Sequence, residues 1–309
     1  MNENDQFLKE NSLKYLAQIG SGTYGSVYLV YSMQYRAKFA LKVTRKKYFK
    51  EEEFESLQQL DSPNVVRLYK CERKNTMLYL LMEYCPFTVF NKIKINGEIK
   101  EKQVLNVAYD ILQALCICHS RRISHGDIKP NNIIIDGFGR AKLCDFGMSI
   151  TQSDSNEDNL TTQICGSFPF APPEIYLKKT YDRFKADIYS FGVTVFALLT
   201  GKLPFKGKTP EEAIANIING KFTLRLVENQ DIADLIFRCM HSNPEKRPNA
   251  TELINHPAFG KHITPPLHPT TNIRLSKTKS HVSNYHQLRI GSFPPKNIWS
   301  MNGNNPGRF

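Results

Sequence analysis

Short runs rich in β-branched and aromatic residues, separated by turn residues, open the chain. Residues 15–19, 27–31 and 39–43 read as three strands, and 65–71 and 77–84 as two more, joined by a polar turn at Lys74-Asn75. Between them Phe54, Leu57 and Leu60 recur at helical spacing, which predicts a helix over 45–60 ended by Asp61-Ser-Pro-Asn. From residue 100 the period lengthens. Val104, Leu105, Ala108, Ile111, Leu112, Leu115 and Cys118 form one helical apolar face. Further helices are expected over 187–200, 210–219 and 230–240. The pattern therefore predicts a mostly β unit with one helix over 1–84, then a mostly α unit. Residues 261–309 are polar and proline-bearing and read as disordered.

Composition narrows the class. The 309 residues suffice for two domains or one bilobal unit with a tail, and a hydrophobic fraction of 41% supports a sizeable core. Formal charge is +12, and residues 261–309 carry seven Lys and Arg with no Asp or Glu, so the body is only mildly basic. Such a balance fits an anionic partner, of which nucleotide phosphates are one kind. Seven cysteines spread along the chain do not read as a disulfide framework. The polar start lacks a signal-peptide core, and the longest apolar stretch, 188–199, is short of the about 20 residues a bilayer span needs. A reduced compartment is expected, cytoplasmic with the nucleus as the alternative.

Several segments could carry chemistry. Ile19-Gly20-Ser21-Gly22-Thr23-Tyr24-Gly25-Ser-Val27 lies between two strands. Glycines there let backbone amides approach phosphate oxygens, although a plain hairpin turn has the same look. Because a strand and not a helix follows, a Rossmann site is disfavoured. Lys42 sits inside the apolar strand Ala40-Leu-Lys-Val, where a buried ammonium needs a partner. Glu51, Glu52, Glu53 and Glu55 stand on the next helix, where a solvated charge run is the plainer reading. His125-Gly-Asp-Ile-Lys-Pro-Asn-Asn132 places Asn132 five residues after Asp127, and Asp145-Phe-Gly begins eighteen after Asp127. A carboxylate to orient a hydroxyl, together with Asn and Asp oxygens for a hard cation, is what Mg²⁺-assisted phosphoryl transfer requires.

In this order and spacing the segments resemble the eukaryotic-type protein kinase family, serine/threonine type, over about residues 13–259. Ala171-Pro-Pro-Glu174, Asp187-Ile-Tyr-Ser-Phe-Gly and Arg247-Pro match further family segments. The resemblance implies an α+β bilobal fold: a small β-rich lobe over 13–84, a large α-rich lobe over 86–259, a short extension over 1–12 and a basic tail over 260–309. It implies ATP and Mg²⁺ as cofactors, a protein substrate, transfer to serine or threonine hydroxyls, a role in signalling or regulation, a monomer, and no nucleic-acid partner. By position, Lys42 would hold the α- and β-phosphates with Glu53 as its helix partner. Asp127 would accept the hydroxyl proton, Lys129 would stabilise the transferring group, and Asn132 and Asp145 would bind the metal. Ile19, Val27, Ala40 and Ile134 would sandwich the adenine. Met82 would form the rear wall, and Glu83 and Cys85 would offer backbone hydrogen bonds. Leu57, Leu68, His125 and Phe146 would form a packed column above Asp187, and Glu174 would pair with Arg247. Lys129 together with Ser167 is the serine/threonine-type pattern.

Two departures change the expectations. Gly126 replaces the arginine that usually anchors a phosphate on the activation segment. An enzyme competent without that phosphate is therefore expected, with Thr161 and Thr162 as the remaining phosphosites. Val89, Asn131 and Ala197 occupy positions where arginine-directed relatives carry carboxylates, so strong upstream-arginine selection is not expected. Cys144 reads as a small core residue, with a pocket-facing thiol as the alternative. Cys116 and Cys118 do not share a helix face, which argues against a metal site. Phe293 and Trp299 would anchor the tail if it docks anywhere. The rival readings are a non-catalytic scaffold and a small-molecule phosphotransferase.

Overall fold

Five antiparallel strands build the first unit because β-branched and aromatic residues alternate between two faces. The computed structural model describes residues 3–22, 25–45, 56–95, 97–151, 160–162 and 166–260. Strands β1 (Leu13–Gly22), β2 (Gly25–Ser32), β3 (Ala37–Arg45), β4 (Leu68–Lys74) and β5 (Met77–Glu83) form one sheet in the order β1-β2-β3-β5-β4. One face buries Leu13, Val30, Phe39, Leu41, Val43, Tyr79 and Leu81. The alternate positions, Ala40, Lys42, Leu80 and Met82, face the other way by the two-residue period.

That first face is covered by a helix the polar start of the chain does not announce. Helix α1 (Glu3–Glu10) drops Phe7 onto Tyr79, with ring centroids 3.8 Å apart and planes within 4°. Asn4 Oδ1 accepts from the Tyr79 hydroxyl at 3.0 Å, and Glu10 pairs with Lys74. One buried aromatic suffices to seat an otherwise polar helix.

The strand expected from residue 65 starts three residues later. Val65 instead makes an isolated parallel bridge to Leu143. Val66 N donates to Leu143 O at 3.0 Å, and Leu143 N donates to Asn64 O at 2.8 Å. Backbone groups after the Asp61-Ser-Pro-Asn turn thus pair with the second unit before they join the sheet. Of the predicted 45–60 helix, 56–59 are helical, and 46–55 lie outside the described residues.

The second unit is helical as the longer period requires. Helix α2 (Glu101–Ser120) buries all seven residues of the predicted face. Helix α3 (Arg183–Thr200) begins four residues before its predicted start, because Asp182 caps it, accepting from Phe184 N and Lys185 N. It ends where Gly201 takes a left-handed φ of 66°. Helices α4 (Pro210–Ile218) and α5 (Gln230–Cys239) are capped by Thr209 and Asn229. Short strands Ile133–Ile135 and Ala141–Leu143 form a hairpin leading to Asp145. The described residues fall within one compact unit, and no helix among them is long and apolar enough to cross a membrane.

Candidate active site

The glycine segment forms the closed end of the β1–β2 hairpin, with Gly20 opposite Val27, Ser21 opposite Ser26 and Gly22 opposite Gly25. Thr23 and Tyr24 lie outside the described residues. Gly25 has a packing reason: a Cβ there would stand 2.3 Å from the Val43 carbonyl oxygen of β3. Behind the hairpin Ala40 is buried and lies opposite Met82. Ile19, Val27, Met82, Glu83, Cys85 and Ile134 are all half-buried.

Lys42 projects from β3, and its Nζ lies 3.1 Å from Asp145 Oδ1. Asp145 holds a left-handed φ of 64°, a conformation that costs a non-glycine residue energy and recurs at functional sites. Burial works against ionisation of its carboxyl, but the charge and hydrogen bond of Lys42 outweigh it and hold the group below the usual carboxylate range. Glu53 lies outside the described residues.

The second cluster is built on the loop after α2. Lys129 Nζ donates to Asp127 Oδ2 at 2.7 Å and to Ser167 Oγ at 2.6 Å. Asn132 Nδ2 donates to the Asp127 carbonyl at 2.8 Å and to Oδ2 at 3.1 Å. Both bonds use the amide nitrogen, which turns the Asn132 oxygen the other way. Asp127 Oδ1 is buried with no hydrogen-bond partner among the described residues. Buried acceptors are rarely left so. Cys144 N donates to Asn132 O at 3.0 Å and ties this loop to the strand that ends at Asp145.

Below the loop, Asp187 Oδ2 accepts from His125 N at 2.8 Å and its Oδ1 from Gly126 N at 2.8 Å. Its carboxyl is fully buried. Burial opposes ionisation, yet His119, 3.0 Å away, and these amides hold it ionised below the ordinary range. His125 Nδ1 accepts from Asp127 N at 3.2 Å, so its Nε2 carries the proton toward the Cys144 carbonyl at 3.1 Å. The His125 ring meets Phe146 edge-on at 4.7 Å, and Leu57 and Phe146 are buried. Glu174 and Arg247 form a buried bidentate pair at 2.6 and 2.8 Å.

Gly126 has φ 79°, and a Cβ there would lie 2.8 Å from the Met148 carbonyl oxygen. The loop in this arrangement is closed to a side chain. Thr161 pairs with Tyr181 in a two-residue ladder, and Thr162 is exposed. Of the three positions considered for arginine selection, Val89 and Ala197 are buried and Asn131 is exposed. Cys144 is half-buried rather than part of the core, and desolvation pushes its thiol up to about 12, which argues against a reactive thiolate. Phe293 and Trp299 lie outside the described residues.

One brace was not read from the sequence. Lys142 Nζ lies 3.1 Å from Glu83 Oε2 and donates to Pro63 O at 2.7 Å, tying the end of β5 to the turn after residue 60. Its signal, a lysine within an apolar strand, is the one that marked Lys42.

No group of three or more His, Cys, Asp or Glu able to hold a metal occurs among the described residues. Asp145 and Asn132 supply two hard oxygens, a set that fits Mg²⁺, which binds through one or two side chains, substrate phosphates and water.

A family model described as "Protein kinase domain" matches residues 13–259. The chain is 31% identical over 252 residues to CBL-interacting serine/threonine-protein kinase 12 of Arabidopsis thaliana, covering 79% of this chain and 51% of that one. It is 32% identical over 206 residues to sperm motility kinase 2B of Mus musculus, covering 66% and 42%. It is 33% identical over 248 residues to probable serine/threonine-protein kinase MARK-A of Dictyostelium discoideum, covering 77% and 23%. The chain spans about half the length, or less, of the curated relatives it matches.

Proposed function

The chain belongs to the protein kinase domain family, and on that premise we propose that it transfers the γ-phosphoryl group of ATP to serine and threonine hydroxyls of proteins. The observation that carries the reading is the convergence of two clusters from distant segments. Lys42 meets Asp145 at 3.1 Å, and Asp127, Lys129 and Asn132 are bonded together beside it.

Each side chain has a task suited to its surroundings. Lys42 places a fixed cation where the α- and β-phosphates lie. Asp127 Oδ1, unpartnered among the described residues, orients the acceptor hydroxyl and takes its proton as the oxygen attacks the γ-phosphorus. The bond from that phosphorus to the bridging oxygen breaks, and ADP leaves with the electron pair. Lys129, between Asp127 and Ser167, offsets charge on the transferring group and borders the acceptor's position. Asn132 and Asp145 would hold Mg²⁺, which when bound neutralises phosphate charge.

The contact of Lys129 with Ser167 and the names of the Arabidopsis and Dictyostelium relatives support serine/threonine acceptors. Gly126, with no room for a side chain, supports competence without a phosphorylated segment, and phosphatase-treated protein should keep its activity. The function is tested by transfer of radiolabelled phosphate from ATP to casein. The wild-type chain should label it, and Asp127→Asn should lose at least ~10²-fold in rate. Equal labelling by both would reject the assignment.

A further inference from the structure

Two serines meet inside the molecule where apolar packing would have sufficed. Ser56, on the helical residues 56–59, and Ser149, four residues past Asp145, are both buried, and their Oγ atoms are 2.9 Å apart. Ser149 Oγ also donates to the Phe146 carbonyl at 2.7 Å, and Ser149 N to the same oxygen at 2.9 Å. A hydroxyl has a single proton, and that of Ser149 is placed between the Ser56 hydroxyl and the Phe146 carbonyl, both within its reach. The neighbours Leu57 and Phe146 are apolar and buried. Separating a polar pair in such surroundings, where no water replaces the lost bond, is costly.

We propose that Ser56 and Ser149 form a latch that holds the 56–59 helix against the Asp145–Phe146–Gly147 segment and so keeps Asp145 opposite Lys42. The inference rests on the function proposed above. Ser149 closes the turn that begins at Phe146, so the carbonyl it grips moves with Asp145. Ser56 moves with the helix, whose far end is held by Arg121 Nη1 donating to Gln59 O at 2.7 Å. Sliding the helix outward, or turning Phe146 out of its place beside His125, separates the two hydroxyls. The serines touch no reacting atom; they are positioning residues.

The test is a double-mutant cycle on the full chain with casein as acceptor. Ser56→Ala and Ser149→Ala should each raise KM for MgATP by roughly 3- to 10-fold, with KM for casein unchanged. The double variant should be no worse than the poorer single one. Ser149→Thr, which keeps the hydroxyl, should recover most of the loss. Amide exchange over 57–60 and 146–150 should quicken together in either alanine variant. Additive losses, an unchanged KM for MgATP, or exchange that quickens on one side only would overturn the latch. If the wild-type chain moves no phosphate yet the exchange is coupled, the function fails and the latch stands. An active enzyme with uncoupled serines removes the latch alone. If Ser149→Ala does not fold, Ser56→Ala with its exchange pattern carries the decision.

Discussion

Lys42 Nζ and Asp145 Oδ1 stand 3.1 Å apart, although 103 residues separate them along the chain. One comes from the central strand of the sheet, the other from the end of a hairpin in the helical unit. Lys42→Met keeps the stem and removes the charge. We expect kcat/KM for ATP to fall roughly 10²- to 10³-fold with the melting temperature little changed. Steady-state kinetics beside a thermal melt would show it.

Gly126 occupies a left-handed φ of 79° against the Met148 carbonyl. An L-residue pays about 1–2 kcal/mol for that backbone, and the contact adds to it. Gly126→Ala should therefore lower the urea midpoint with m unchanged. An unaltered midpoint would mean that the loop accepts a side chain by moving.

Glu174 and Arg247 are buried together, and the guanidinium lies over Tyr189 with 4.9 Å to its ring centroid. Glu174→Ala leaves a cation without its counter-ion and should cost about 3–5 kcal/mol in chemical denaturation. Loss of less than about 1 kcal/mol would place the pair among those that surface screening makes weak.

Asp110, on α2, accepts from Ala141 N at 2.8 Å. Burial pushes its carboxyl up to about 6, with the bonds from Ala141 and Asn64 pulling the other way. In an acid whose folded pKa is raised, the folded state holds more protons between about pH 4 and 6. Stability from this group is thus present below the ordinary value and is lost as pH rises through 6. Asp110→Asn keeps an acceptor and removes the titration. Its melting temperature should gain on wild type across that window, and parallel profiles would refute the assignment.

The sequence exposed what repeats and hid what folds together. Strands and helices were legible because Phe39, Leu41 and Val43 alternate and Val104, Ala108 and Leu115 keep a helical period. Their ends were less so: Asp182 starts α3 early by capping it, and Val65 leaves its strand to bridge Leu143. Candidate site residues stood out by type and spacing, yet no pattern joins Lys42 to Asp145, Lys142 to Pro63 or Ser56 to Ser149. Such pairs depend on tertiary contacts between segments tens of residues apart, so resemblance could name some partners and only coordinates could place the rest. Helix α1 was missed because its mean composition is polar and one phenylalanine does the seating.

That single ring sets the practical limits of the domain. A fragment cut to begin at residue 13, where the family match starts, would strip the cover from Tyr79 and leave an oily sheet face open to water. Such a fragment should self-associate during purification, whereas one retaining the first dozen residues should stay dispersed.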